Sequence, residues 1–381
     1  MSDSLAFFVL FGACAVFGAG ATRFAVWLSH RLAILDNPGG RKAHREPVAY
    51  LGGLGFTVTV LFGVLLYAWM RPHDMLMDQQ TGYVFVGGLV AIFFVGLWDD
   101  VAGMRPLYKL GFQIAVATAL WAAGLRVERI AFGLGAPVAL VGENGASFID
   151  FFFGGLPSLA ITVGWFVALM NAINLIDGLD GLAGGVALIA SLSLGIVGLL
   201  TWYNGLNLGL ALPAVAAGAC LGFLVFNWHP AKIFLGDSGS LSIGYTLAGC
   251  SLMASTKAPA LLALLVPVVA LGLPLFETTF SFARRALTGT NPFKADRRHL
   301  HHRLLDAGLD QRRVVLVFLY ATVYFGVNAV LLAREGSALV LINVALIGVG
   351  LVMLIEYLRF FEKRRESLDA ASAESRNTEK A

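Results

Sequence analysis

Apolar residues along this chain fall in runs of about 15–25, the length a helix needs to cross a bilayer, broken by short clusters of charged and amide side chains. The pattern predicts about eleven spans, near residues 5–28, 50–70, 83–98, 108–124, 156–173, 183–201, 208–227, 238–255, 259–283, 314–333 and 337–358. Lipid satisfies no backbone polar groups, so the spans are expected to be helices. No alternating ten-residue pattern suggests a barrel. The expected fold is therefore an all-α, polytopic membrane helical bundle. The first run has no basic stretch ahead of it and reads as a retained span. Residues 1–358 form the expected membrane domain, and the polar tail 359–381 is expected to be disordered. In the long loop 125–155, alternation in VERIAF and the glycine spacing after it predict a short hairpin.

Composition supports this class. The 381 residues are 58% hydrophobic and only 13% charged, where a soluble domain is nearer a quarter charged. The net charge of +3 gives no reason to expect nucleic acid. Cys14, Cys220 and Cys250 each lie inside an apolar run and read as small buried hydrophobes. Orientation follows from the loops. Of the 27 Lys and Arg, 21 lie in segments 29–49, 99–109, 228–237, 284–313 and the tail, and five lie on the other side. By the positive-inside rule, the basic side faces the cytoplasm.

The same side carries polar residues at span ends, where ionisable groups are costly and mark function by default. Five clusters stand out. The first is Asp36-Asn37-Pro38 with Arg41, Lys42 and His44, running into Gly52-Gly53. Alone it reads as an ordinary basic loop. The second is Asp99-Asp100, with Lys109 and Gln113 downstream. Adjacent carboxylates repel, and a nearby cation relieves that. Lys109 and Gln113, four apart, share a helix face. The third is NAINLIDGLDGLAGG, where Asn171, Asn174, Asp177 and Asp180 recur every three residues on one broad side of a helix or turn. Amides and carboxylates suit a hard cation such as magnesium. Helix capping explains one or two of them but not four. The fourth is Asn227 followed by KIFLGDSG, in which Asp237 opens a span whose N-terminus favours phosphate. A plain helix cap explains it equally well. The fifth is NPFKADRRHLHH, with Arg297, His299, His301 and His302. It suits an anion at least as well as zinc, because Arg forks onto phosphate and no cysteine is near.

Together DNPGGRKAH, WDD with Lys109, NAINLIDGLDG, KIFLGDSGS and DRRHLHH resemble the polyprenyl-phosphate N-acetylhexosamine-1-phosphate transferases, from about Asp36 to Gly308. The HLHH form is similar to the bacterial N-acetylglucosamine-1-phosphate branch and not to the muramoyl-pentapeptide branch. One departure is Glu277, where that branch has Asp. The resemblance implies transfer of a sugar 1-phosphate from a UDP-N-acetyl-amino sugar to undecaprenyl phosphate, with release of UMP. This would be the first membrane step of cell-surface polysaccharide synthesis, in a bacterial inner membrane. It also implies magnesium, or manganese in its place, on Asn174 and Asp237. Asp99 and Asp100 match the catalytic acidic pair, with Asp99 as base or orienter of the lipid phosphate. Lys109 matches the lysine on the diphosphate. Asn171, Asp177 and Asp180 line the nucleotide and metal site, and Arg297, His299, His301 and His302 handle the diphosphate and sugar. The expected partners are the UDP-sugar, the polyprenyl phosphate and membrane lipid, and the sequence is silent on oligomeric state. A transporter or flippase is the main alternative, although its site would lie near the midplane and no internal repeat is visible. A zinc hydrolase using the three histidines is the third reading.

Overall fold

The structure is a computed structural model. It describes residues 3–38, 46–71, 79–127, 129–133, 148–152, 154–201, 208–255 and 308–334, with scattered positions between 268 and 357. The spans expected near 259–283 and 337–358, the basic segment Arg41–His44, Glu277, the cluster from Arg297 to His302 and the tail fall outside the described residues or nearly so.

Among the described residues the elements are α1 (Asp3–Arg31), β1 (Leu35–Asp36), β2 (Val48–Ala49), α2 (Gly52–Met70), α3 (Gln79–Ala102), α4 (Pro106–Ala122), β3 (Arg129–Gly133), β4 (Phe148–Phe152), α5 (Gly155–Ile176), α6 (Leu182–Thr201), α7 (Leu208–Asn227), α8 (Gly236–Ser255) and α9 (Gln311–Arg334). Each expected span that falls on described residues is a helix. Seven of these helices are long and apolar enough to cross a membrane. The two others are α4, which is short at 17 residues, and α8, which is rich in Ser and Gly. The hairpin expected in the 125–155 loop is present, with β3 and β4 paired antiparallel from Arg129↔Phe152 to Gly133↔Phe148.

Helix α8 is the hub. It packs on α2, α3, α5, α6 and α7, while α1 wraps α7 and α2, α4 lies on α3 and α5, and α9 lies on α6. Small residues allow this crowding. A Cβ at Gly96 of α3 would lie 2.7 Å from the carbonyl carbon of Asp237 and would run into the Ser238 backbone. The serines and threonines of α8 that face the core are buried, and most hydrogen-bond within the helix, as Ser242 does to the Ser238 carbonyl at 2.6 Å. Cys14, Cys220 and Cys250 are buried and free, as their placement predicts.

Helix direction sorts the ends of the bundle. The termini of α3 and α4 around Asp99 and Lys109, the end of α5, the start of α6, the end of α7 and the start of α8 all meet at one end. The β3–β4 hairpin and the Arg71–Asp3 ion pair (3.0 Å) belong to the other. At the first end the chain stitches distant segments together. Phe234 N–H donates to the Ala49 carbonyl at 2.8 Å, and Gly52 and Gly53 N–H donate to the Phe234 and Leu235 carbonyls at 3.0 Å each. This ladder fixes the entry into α8 against the entry into α2.

Candidate active site

Asp237 is the centre of the polar end. Gly236 precedes it at φ +69°, a left-handed conformation that favours glycine. A Cβ there would also sit 2.6 Å from Asp100 Oδ2. The turn therefore aims Asp237 back toward α3, α4 and α5. Lys109 Nζ, from the first turn of α4, donates to Asp237 Oδ2 and, at 2.7 Å, to Asp99 Oδ2. Asn174 Nδ2, from the last turn of α5, donates to Asp237 Oδ1 at 2.8 Å and to Ser240 Oγ at 2.9 Å. Met104 N–H donates to Asp99 Oδ1 at 2.6 Å, so the α3–α4 turn holds the other oxygen of Asp99.

The adjacent acidic pair divides its labour. Asp100 accepts the backbone N–H groups of Asp237 at 2.7 Å and Ser238 at 3.0 Å. It fills the N-terminus of α8, where unpaired N–H groups and the helix dipole welcome an anion. This corrects one expectation from the sequence: that helix end is occupied by Asp100 and is not open to a phosphate. Asp100 fastens α3 to α8, and Asp99 faces Lys109.

The four residues spaced by three also separate. Asn174 reaches Asp237. Asn171, one turn deeper, donates from Nδ2 to Gln113 Oε1 at 2.7 Å and to the Val167 carbonyl at 2.8 Å. Asp180 accepts from Ala231 N–H at 3.1 Å and lies 2.7 Å from His229 Nδ1, which fastens the loop ahead of α8 to the start of α6. Asp177 follows α5 and makes no side-chain hydrogen bond to the described residues. Burial, and then the charges of Asp237, Asp100 and Asp180, push its carboxyl up to about 8.

Sequence reasoning did not single out Tyr50, His229, Ser238 or Ser240. Tyr50 sits on the ladder ahead of α2. Burial first, and then the charges of Asp100, Asp237, Asp177 and Asp36, raise its phenol above the ordinary value. His229 finds Asp180 across 49 residues, a pairing that no local pattern announces.

No three His, Cys, Asp or Glu side chains among the described residues converge as a closed metal cage would require. The donor chemistry nonetheless fits a hard divalent cation. Magnesium is ordinarily held by one or two carboxylates together with waters and substrate phosphates. Asp237 offers such a carboxylate, and Asp177, whose charge is disfavoured by burial and by Asp237, makes no side-chain hydrogen bond among the described residues. Among the described residues, Lys109 is the cation bonded to this acidic group.

Residues 83–255, from α3 through α8, match glycosyl transferase family 4. The chain is 33% identical over 302 residues to a protein of Bacillus subtilis named a probable undecaprenyl-phosphate N-acetylglucosaminyl 1-phosphate transferase, covering 79% of this chain and 78% of that one. This chain belongs to glycosyl transferase family 4. A decaprenyl-phosphate N-acetylglucosaminephosphotransferase of Mycolicibacterium smegmatis is 34% identical over 360 residues, covering 89% of this chain and 86% of the relative. A phospho-N-acetylmuramoyl-pentapeptide-transferase of Pelotomaculum thermopropionicum is 34% identical over 293 residues, covering 76% and 85%. The family assignment makes the chain a multi-pass membrane transferase of the polyprenyl-phosphate hexosamine-1-phosphate kind. The family match runs across the segment that brings Asp99, Asp100, Lys109, Asn174, Asp177 and Asp237 together.

Proposed function

We propose that this transferase moves N-acetylglucosamine 1-phosphate from UDP-N-acetylglucosamine to undecaprenyl phosphate and releases UMP. The step takes place on the cytoplasmic face of a bacterial inner membrane and begins a cell-surface polysaccharide. The observation that carries this reading is the junction of Asp99, Lys109, Asn174 and Asp237, drawn from four helices to one end of the bundle. The sugar is supported by the names of the Bacillus and Mycolicibacterium relatives. The cytoplasmic face is supported by the distribution of Lys and Arg.

In the reaction an oxygen of the lipid phosphate bonds to the β-phosphorus of the donor. The bond from that phosphorus to the bridging oxygen breaks, and UMP leaves with the electron pair. Lys109, already between two carboxylates, presents its ammonium to the diphosphate. Asp99 has one oxygen on Lys109 and the other on a backbone N–H, so it orients the lipid phosphate through Lys109 more than it removes a proton. Asp100 holds the start of α8, and so Asp237, in place. Asp237 would hold magnesium, with Asn174 and Asp177 at its side, and the ion would offset the charge that grows on the departing UMP. Arg297, His299, His301 and His302 are assigned to the diphosphate and sugar from the sequence resemblance.

The test is UMP release by purified protein in micelles with undecaprenyl phosphate, across a panel of UDP-sugars. Release should require both the lipid and magnesium, and UDP-N-acetylglucosamine should be the fastest donor. Zinc-dependent hydrolysis without lipid would overturn the reading in favour of a hydrolase. Absence of UMP release with every donor would favour a transporter.

A further inference from the structure

Two helices deliver the groups that hold Asp237, and they are anchored very differently. Helix α5 packs on α8 from Trp165, which donates to Ser251, to Asn174 at the site. It buries Ser158, Thr162, Phe166, Leu169, Met170, Ala172, Ile173 and Ile176. Helix α4 buries only Gln113, Ala117 and Leu120, and it exposes Leu107, Tyr108, Phe112 and Ile114. Ala117 and Leu120 are apolar, and apolar contacts next to lipid do little to choose one rotation or register over another. Gln113 is the one polar side chain in this buried set. Among the described residues, the other side-chain hydrogen bond between the two helices, from Trp121 Nε1 to Ser158 Oγ at 3.0 Å, lies at the end of α4 far from the site. Gln113 is 1% exposed, and its Oε1 accepts from Asn171 Nδ2 at 2.7 Å.

The placement of this bond ties it to the site. Gln113 is four residues after Lys109, and Asn171 is three before Asn174, so each lies beneath its partner on the same helix face. Lys109 and Asn174 then reach the two different oxygens of Asp237, Oδ2 and Oδ1. Asn171 also spends a donor on the Val167 carbonyl at 2.8 Å. Its amide is therefore oriented by its own helix, and its donors are committed inside the protein rather than to a substrate.

We propose that Gln113 is a positioning residue for the transfer reaction. Its hydrogen bond to Asn171, one turn beneath the site, holds the site end of α4 against α5, as Trp121 and Ser158 hold the far end, so that Lys109 and Asn174 meet Asp237 together. The inference rests on the transferase reading for its kinetic part and on geometry alone for the rest.

The kinetic arm uses Gln113→Leu and, as a second apolar variant of similar length, Gln113→Met, each compared with the unsubstituted protein in the same micelles. Both variants should remain folded, with the thermal midpoint lowered by no more than the loss of one hydrogen bond accounts for. Turnover should fall about 10–100-fold, the size expected when a reacting group is misplaced by a fraction of an ångström to 1 Å. The KM for the UDP-sugar should move much less. Adding Asn171→Leu to Gln113→Leu should cost little more, because both changes remove one bond. Multiplying losses, or turnover within twofold of the parent, would overturn the proposal. The second arm needs no turnover. The rate at which a small amine-acylating reagent modifies Lys109 is followed by mass spectrometry. It should be slow in the parent and at least severalfold faster in Gln113→Leu, as the ammonium leaves its two carboxylates. Unchanged reactivity would sink the idea even if the parent proved not to be a transferase. Lack of UMP release by the parent, together with faster acylation in the variant, would instead locate the failure in the functional reading.

Discussion

Helices α1 and α8 are both treated as spans by the sequence, yet they are opposites. Helix α1 has 29 residues and is mostly apolar, and it shows Leu5, Phe8, Val16, Phe24 and Trp27 to the surroundings. Helix α8 carries Asp237 and a run of Ser, Thr and Gly, is not apolar enough to count as a crossing helix by composition, and lies at the centre of the bundle. Apolarity alone does not decide which helix is inside, because α7, at least as apolar as α1, is mostly buried. In a bilayer the lipid is as apolar as leucine, so an apolar face can meet lipid or protein alike, while polar groups must turn inward. The helix that tolerates polar groups is the one that neighbours can satisfy.

If that contrast is right, substitutions on α8 and its contacts should dominate. Asp237→Ala should reduce UMP release by roughly 10³-fold or more, because a preorganised charge at the reacting group is lost, while the protein still elutes as a folded species. Asp237→Asn with near-normal magnesium-dependent turnover would break the assignment. A smaller effect is expected from Gly96→Ala, where the new methyl meets the Asp237–Ser238 backbone. Overpacking of this kind costs about 1–3 kcal/mol. It should lower the thermal midpoint and also turnover, since α3 carries Asp99 and Asp100.

A third expectation concerns pH. Folded Asp177 keeps its proton up to about pH 8, whereas the unfolded chain releases it near the ordinary value of 3.8. The folded state therefore binds more protons between these limits, and stability falls as pH rises through that window. In metal-free protein the Asp177 contribution should lower the thermal midpoint between about pH 4 and 8 and level off above that, and Asp177→Asn should flatten the drop. An equal slope in the variant would remove Asp177 as its source. The smallest effect belongs to α1. Val16→Ala, at a position 78% exposed, should change stability by no more than about 0.5 kcal/mol and leave turnover alone. A large loss there would mean that α1 is covered by something other than lipid.

The helices were legible because their runs match a bilayer. Their ends were less so, since hydropathy stops where polar residues begin. Spans expected to end at 98 and 173 continue through Asp99, Asp100 and Asn174, so these side chains belong to last helical turns and are held by them. The sequence singled out Asp99, Lys109, Asn174 and Asp237, which the structure brings into contact, but the division of tasks among the polar residues was not legible. Nothing in WDD says that one carboxylate caps a helix 137 residues away while its neighbour meets Lys109. Nor does a spacing of three reveal that Asn171 turns to Gln113 and Asp180 to His229. Those choices are made by contacts between distant segments.

The central place of α8 also has a consequence for biosynthesis. It is threaded among helices that all leave the ribosome before it, α2, α3, α5, α6 and α7. A nascent chain that has inserted those five has a slot at its heart, lined in part by Thr57 and by the glycines at 53 and 96. Lipid or a loose arrangement of neighbours must fill that slot until Gly236 arrives. Asp100 has no helix end to cap before then, and Lys109 and Asn174 have no Asp237. A chain stalled ahead of α8 would therefore leave Asp100 without its α8 partners, while Lys109 kept only Asp99.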